Sequence, residues 1–498
     1  MKTQSNKNLH KLIFFIVITL TLFNANTNTT SAAQDGISVA VIDSGVDMQH
    51  EFIVPHAWTN TLEIADNQND DDSNGFIDDL FGWNFSEGNN QVINSKLINF
   101  FKTDHFRFFE VQNSLSNNTA TTEDVAWIRE KIKDKKFLAE GMAYGNFIHG
   151  THVAGISIAK SVSNKVMAIK IIPTEINVSE GSNTHSSSST DHAFAEDNPV
   201  FADLRDGQAR GLVGVDLVKY LLRGVAKRQM EGMGTVVTYI HRHYIRVANC
   251  SFGTGMAQAK NVAETFYREI LGETPSETEL HAVAQYFLQQ LVLFGQEAFA
   301  RAPNTLFVFA AGNDGSNNDV EATSPTNIKR GNTIAVAATR SATSLANFSN
   351  YGKTLVEVAA PGVSIKSSIP GGKYIGLSGT SQAAPTVSNI AAEVINVNPA
   401  LTPIQVKEII VKTVDIKSFL RDKVSSSGLV NKARALRAAE YSKSTALANA
   451  IASAVNEVKA VKSSNTLALP LKSAHPELEF VLPLQQEFIL NNGTFTHN

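Results

Sequence analysis

Ile37-Ser38-Val39-Ala40-Val41-Ile42-Asp43-Ser44-Gly45 is a short, β-branched run that stops at a polar turn, and it reads as a buried strand feeding that turn. Similar short apolar runs recur at Val166–Ile172, Leu306–Ala311, Thr333–Ala337 and Leu355–Ala359. Helical patterns lie between them. Val215, Val218, Leu221, Leu222 and Val225 share one face, and Leu280 to Phe299 makes a longer one. Strands alternating with helices predict an α/β fold whose mostly parallel sheet is covered on both sides. In such sheets chemistry collects at the carboxyl ends of the strands, where this chain places its polar, Gly-rich segments.

The remaining composition narrows the class. A chain of 498 residues with 43% apolar content can bury a full core. Lys plus Arg is 43 and Asp plus Glu is 47, a formal charge of -4, so no basic excess points to nucleic acid or to an acidic membrane surface. A single Cys, Cys250, rules out a disulfide framework and reads as a small core residue. Leu12–Phe23 is the one long apolar stretch, preceded by Lys2, Lys7 and Lys11 and followed by Ser31-Ala32-Ala33. It is short for a membrane span and suits a secretory signal over residues 1–33, the alternative being an uncleaved anchor. An exported, extracellular or periplasmic protein without stable membrane insertion is expected.

Four segments carry chemistry-bearing residues beside glycine. Asp43 ends the first strand, and His149 opens His149-Gly150-Thr151-His152-Val153-Ala154-Gly155. Asn313 follows the strand Phe307-Val308-Phe309-Ala310-Ala311-Gly312. Ser381 sits in Ser378-Gly379-Thr380-Ser381-Gln382-Ala383-Ala384-Pro385, a Gly turn entering a helix, with its hydroxyl expected to face outward. Taken singly, Asp-Ser-Gly is a common turn and Gly-Thr-Ser an ordinary helix cap. Together they are the parts of acyl transfer: a serine needs a base, the base an orienting carboxylate, and the oxyanion an amide donor.

With these four motifs in this order, the chain resembles the subtilisin-like serine proteases, or subtilases, of the peptidase S8 family. The likeness runs from about Ile37 to Ser442 and includes Ala359-Ala360-Pro361-Gly362-Val363. It implies a three-layer subtilisin-like fold and a serine-type endopeptidase acting on proteins or peptides through an acyl-enzyme. Ser381 would be the nucleophile, His149 the base and then the acid, and Asp43 the group that orients the imidazole. Asn313 and the Ser381 N–H would form the oxyanion hole, and His152 would be structural. Asn249-Cys250-Ser251-Phe252-Gly253 is similar to the family's strand that pairs with an extended substrate. Ser251, Phe252, Gly253, Ala311 and Gly312 are thus expected to line a roomy, apolar pocket, with Asp314 at its rim either admitting a Lys or Arg head group or solvated.

The expected domains are a signal at 1–33, a peptidase domain at 34–442 that the resemblance implies, with insertions near 60–140 and 175–210, and, where the character of the sequence changes, a C-terminal appendage at 443–498. More than a hundred residues separate Asp43 from His149, which implies an inserted acidic loop and an inserted helix over Thr122–Lys136. In Asp70-Asp71-Asp72-Ser73-Asn74-Gly75-Phe76-Ile77-Asp78-Asp79, the donors Asp70, Asp72, Asn74 and Asp78 have EF-type spacing. The usual bidentate Glu is replaced by Phe81, for which Asp79 stands in; a structural Ca²⁺ is favoured over a solvated loop, and no cofactor is needed for catalysis. Ser179–Glu196 reads as a mobile loop open to nicking.

Several positions depart from the family. Glu51-Phe52 replaces its other calcium aspartate, Gln382 its usual Met and Thr386 its usual His. The strand before Asp43 starts a few residues after the expected cleavage point, where exported relatives carry a pro-domain. These departures keep open a second reading, a catalytically silent subtilase-fold binding or scaffold protein. A third, a hydrolase of simple esters, is disfavoured by the peptide-pairing strand.

Overall fold

The computed structural model describes residues 36–174, 199–460 and 474–483. The expected signal segment and the loop Ser179–Glu196 lie outside the described residues. The strands are β1 (Ser38–Asp43), β2 (Gly82–Asn84), β3 (Lys165–Lys170), β4 (Val247–Cys250), β5 (Leu306–Ala310) and β6 (Thr333–Ser341). They continue as β7 (Ser344–Leu345), β8 (Val358–Pro361), β9 (Ile365–Ile369), β10 (Lys373–Leu377), β11 (Asp415–Ile416) and β12 (Gly428–Leu429). One sheet has the order β11-β12-β8-β6-β5-β4-β1-β3-β2, with β7 on β6. It is parallel from β12 to β2, while β11 and β7 pair antiparallel at its margins. β9 and β10 form a separate antiparallel hairpin.

Side chains that alternate along a strand point to opposite faces, and here both faces are buried. Ala40, Ile42, Phe307 and Phe309 pack with Leu221, Leu288 and Phe299 on one side. Val39, Val308, Ala310 and Val336 pack with Ala384, Val387 and Ile409 on the other. This is the expected three-layer arrangement. It leaves the carboxyl ends of β1, β4 and β5 side by side, because β4 lies between the other two.

The helices are α1 (Thr103–Asn117), α2 (Thr122–Lys131), α3 (Lys135–Ile158), α4 (Pro199–Ala209), α5 (Gly214–Arg242) and α6 (Met256–Phe266). They are followed by α7 (Glu277–Ala300), α8 (Thr380–Val397), α9 (Pro403–Lys412), α10 (Lys432–Tyr441) and α11 (Leu447–Glu457). The single helix expected over Thr122–Lys136 is broken. Asp134 accepts from the Lys136 and Phe137 backbone amides and so caps a new helix, α3, rather than extending α2. α1 was not anticipated. Its Phe108, Phe109, Val111 and Leu115 build a third apolar cluster with Phe137, Tyr144 and Phe147 of α3. Beyond Ser442 the chain packs back, since Ile451 and Ala454 of α11 are buried with Val387 and Ile390 of α8.

Candidate active site

β1 delivers Asp43 to its carboxyl end, where the side chain is fully buried. His149 lies well inside α3 and not in a loop. Its Nδ1 is 2.8 Å from Asp43 Oδ1, which also accepts the Ser44 amide at 2.7 Å. Asp43 Oδ2 has no donor among the described residues. A carboxylate on Nδ1 makes that nitrogen the N–H of the ring and leaves Nε2 as the basic position. The helix can lie this close because Gly150 has no side chain: a methyl there would stand 2.2 Å from the Gly45 carbonyl. Ser44 Oγ, accepting the Gly150 amide at 3.1 Å, ties the same contact.

α8 starts at Thr380 after Gly379, so Ser381 sits in its first turn. The hydroxyl does not face outward as expected: Ser381 is buried, and its Oγ donates to the Ser251 carbonyl at 3.1 Å. Ser251 Oγ in turn donates to the Ser381 carbonyl at 2.9 Å. These two contacts lock α8 to the end of β4, and no hydrogen bond joins Ser381 to His149. Catalytic contacts of this kind are often loose before substrate binds.

Asn313 follows β5. Its Oδ1 accepts from the Thr380 amide at 2.9 Å and the Thr380 hydroxyl at 2.8 Å, which turns Nδ2 outward as a donor. That Nδ2 donates to the Leu482 carbonyl at 2.9 Å. Sequence reasoning missed the role of Thr380, although it stands inside the Gly-Thr-Ser motif. It also missed Asn350, which has no local signature. Asn350 Oδ1 accepts the amides of Asp314 and Ser316 at 2.9 and 3.0 Å and pins the loop that carries Asn313. Gly312 is required there, with φ of 119° and only 2.2 Å between a would-be methyl and Asn350 Nδ2.

Ser251, Phe252 and Gly253 continue from β4, and Thr254 then pairs antiparallel with Ser324. The Phe252 ring is buried in the core with Ala259 and Phe266, so it does not line an open pocket, and its backbone lies in a β-bridge. Ala311 is buried and donates its amide to Val336 at 3.0 Å. Asp314 is exposed, and its carboxylate leans over Gly255. His152 is fully buried with Nε2 3.1 Å from the Ile375 carbonyl, and burial pushes its pKa down to about 3. It is therefore a neutral, structural imidazole, as is Cys250 a buried thiol.

The acidic loop is arranged differently from the EF-type spacing. Asp70 accepts the amides of Asn74 and Gly75, and Asp78 those of Asn67 and Gln68, so these carboxylates shape turns. Asn74 donates through its side chain to Asp72 and Asp79. Of the four expected ligands only Asp72 joins a carboxylate cluster, with Glu63 and Asp79, whose oxygens lie within 4.8 Å of one another. Burial and the neighbouring Asp79 and Asp72 raise the Glu63 carboxyl, outweighing backbone donors. Burial would raise Asp79 too, but hydrogen bonds from His243, Tyr239, Asn60 and Asn74 hold it below the usual range. Glu63 escaped sequence analysis because it precedes the dense Asp run.

The profile of the subtilase family matches residues 34–439, and the chain belongs to that family. Over 99 residues it is 44% identical to a subtilisin of Bacillus pumilus, covering 20% of this chain and 35% of that protein. Over 143 residues it is 40% identical to an extracellular protease of Xanthomonas campestris pv. campestris, covering 27% of this chain and 24% of that protein. The chain thus aligns with about a third or less of the length of these relatives. A cold adapted subtilisin-like serine proteinase of known structure is matched over 80% of this chain and 87% of that chain, at 19% identity and a TM-score of 0.37. Among the described residues no helix is long and apolar enough to cross a membrane.

Proposed function

We propose that this subtilase is a secreted serine endopeptidase that hydrolyses peptide bonds through an acyl-enzyme. The observation that carries the reading is the 2.8 Å pairing of Asp43 with His149, beside Ser381 at the start of α8 and Asn313 at the end of β5. Ser381 turns from the Ser251 carbonyl to His149 Nε2 and gives up its proton as Oγ attacks the substrate carbonyl. Asp43 stabilises the imidazolium. The oxyanion takes the Asn313 Nδ2 and Ser381 amide hydrogens, favoured by the N-terminal end of α8. His149 then protonates the leaving amine, and a water molecule reverses the steps to free Ser381. The backbone of Ser251 to Gly253 pairs with an extended peptide, with Ala311 and Gly312 completing the pocket wall.

Glu63, Asp72 and Asp79 fit a hard cation, because three carboxylates this close repel one another until a positive charge is shared between them. We assign them a structural Ca²⁺, remote from the reaction steps. Export rests on the signal-like residues 1–33 and on the similarity to the extracellular protease of Xanthomonas campestris pv. campestris. The test is labelling with a serine-directed phosphonyl probe together with casein cleavage. Labelling at Ser381 and loss of both signals in Ser381→Ala support the protease. Folded protein that shows neither, both as wild type and with Glu479→Lys and Phe480→Ala in its tail, leaves the silent scaffold in its place.

A further inference from the structure

Residues 474–483 lie along α1 and end at the oxyanion donor. Gln112, buried on α1, reads the backbone on both sides of Glu479: its Nε2 donates to the Leu478 carbonyl at 2.9 Å, and its Oε1 accepts the Phe480 amide at 2.7 Å. The Glu479 carboxylate meets Arg340 at 3.2 Å and the Ser116 hydroxyl at 3.2 Å, in a largely buried setting. Phe480 packs on Phe108 and Phe109, with ring centroids 5.6 and 6.4 Å away. Leu478 and Leu482 are buried in the α1–α3 cluster. Leu482 rests directly on Gly145, where a methyl would stand 2.6 Å from its Cδ2. Asn118 accepts the Ala474 amide at 2.7 Å at the other end. Both backbone and side chains are thus recognised, as they are when a groove holds an extended peptide.

We propose that α1 and Arg340 form a peptide-binding platform and that Leu478-Glu479-Phe480-Val481-Leu482 is its intramolecular occupant, holding the catalytic site shut. The proposal rests on the protease reading above and adds its regulation. The segment engages the oxyanion donor directly, Asn313 Nδ2 donating to the Leu482 carbonyl, while Ser381 Oγ stays on the Ser251 carbonyl of the β4 end. The segment is built to block and not to be cut. Its Leu482 side chain packs against α1 and α3, whereas the expected pocket wall of Phe252 and Ala311 lies in two other clusters. The bond after Leu482 leads into Pro483, whose ring carbon replaces the N–H of an ordinary peptide bond and crowds the nitrogen that His149 must protonate. A segment tethered in the same chain meets its groove at an effective concentration on the order of millimolar, so modest intrinsic affinity is enough. Ligands or substrates able to displace it share its pattern, an acidic residue flanked by apolar ones.

The test compares full-length protein with Glu479→Lys and Phe480→Ala, alone and together, with melting temperatures recorded for each. The rate of Ser381 labelling by the phosphonyl probe should rise about tenfold or more in the double variant. A synthetic peptide of residues 474–483 should return it to the wild-type rate, and the same peptide carrying the Glu479→Lys change should not. Equal, measurable labelling rates in wild type and folded variants overturn the proposal. Binding is read separately in a Ser381→Ala background with the dye-labelled peptide. Peptide that binds the double variant and not the intact-tail chain supports the platform even if no variant cleaves casein, and that pairing of results removes the protease reading alone. Absence of binding to either chain overturns the platform whatever the activity.

Discussion

His149 Nδ1 lies 2.8 Å from Asp43 Oδ1 although 106 residues separate them in the chain. The contact is made by a strand end and a helix interior, held together by Gly150 on the Gly45 carbonyl. Asp43 has one oxygen shared between His149 and Ser44 and the other without a donor among the described residues, which leaves much of its charge to support an imidazolium. Asp43→Asn should keep the fold and lower kcat by about 10⁴, because the amide no longer holds the tautomer with a basic Nε2. Peptide turnover and melting temperature, measured on the same preparation, check this; a loss below tenfold would argue against the assigned role.

Gly150→Ala tests the close approach. The added methyl must push α3 away from the loop after β1, at an overpacking cost of about 1–3 kcal/mol. His149 moves with the helix, so kcat should fall more than KM rises. Thermal unfolding and steady-state kinetics together separate the two effects, and an unchanged kcat would show that the Asp43–His149 contact tolerates the shift.

Asn313→Ala removes the side-chain oxyanion donor. A loss of about 10²–10³ in kcat is expected, equivalent to about 2.7–4 kcal/mol at the transition state. Thr380→Val should give a smaller loss of the same kind, since it frees Asn313 Oδ1 from the hydroxyl while the Thr380 amide still holds it. A KM effect without a kcat effect in both variants would assign Asn313 to ground-state binding instead.

Chelation should lower the melting temperature and Ca²⁺ should restore it, with Glu63→Gln and Asp72→Asn each weakening the response. Superimposable melting curves with chelator and with Ca²⁺ would remove the metal from this cluster.

Acid should destabilise the protein through His152. Its folded pKa of about 3 lies below the ordinary value of 6.5, so between these limits the unfolded chain binds a proton that the folded one refuses. Stability therefore rises with pH across that window and is lost as pH falls below about 6.5. His152→Gln, which keeps a donor toward the Ile375 carbonyl, should flatten this limb. Denaturant unfolding from pH 7 to pH 4 measures the slope; identical slopes for both proteins would assign the acid limb to other groups.

The sheet, its two covered faces and the positions of Asp43, Asn313 and Ser381 at or near element ends were all legible in the chain, as was His149 as a candidate base. Alternating apolar strands and glycine-flanked polar residues are local patterns, and local patterns survive without a structure. Other features were decided only in three dimensions. Whether Asp70 or Glu63 joins the acidic cluster depends on which backbone amides each carboxylate meets, and those come from different turns. The orientation of Asn313 depends on Thr380, and the direction of the Ser381 hydroxyl depends on Ser251, each pairing made by elements far apart in sequence. The third apolar cluster was hidden for the same reason. α1 has apolar residues at helical spacing, but what they cover is set by contacts with α3 and with the segment ending at Leu482, the latter spanning more than three hundred residues. Sequence by itself determined the strand and helix patterns and the reactive groups, because those depend on neighbours along the chain; tertiary structure alone decided which groups face one another, because hydrogen bonds and packing act over a few ångströms of space and carry no mark in sequence separation.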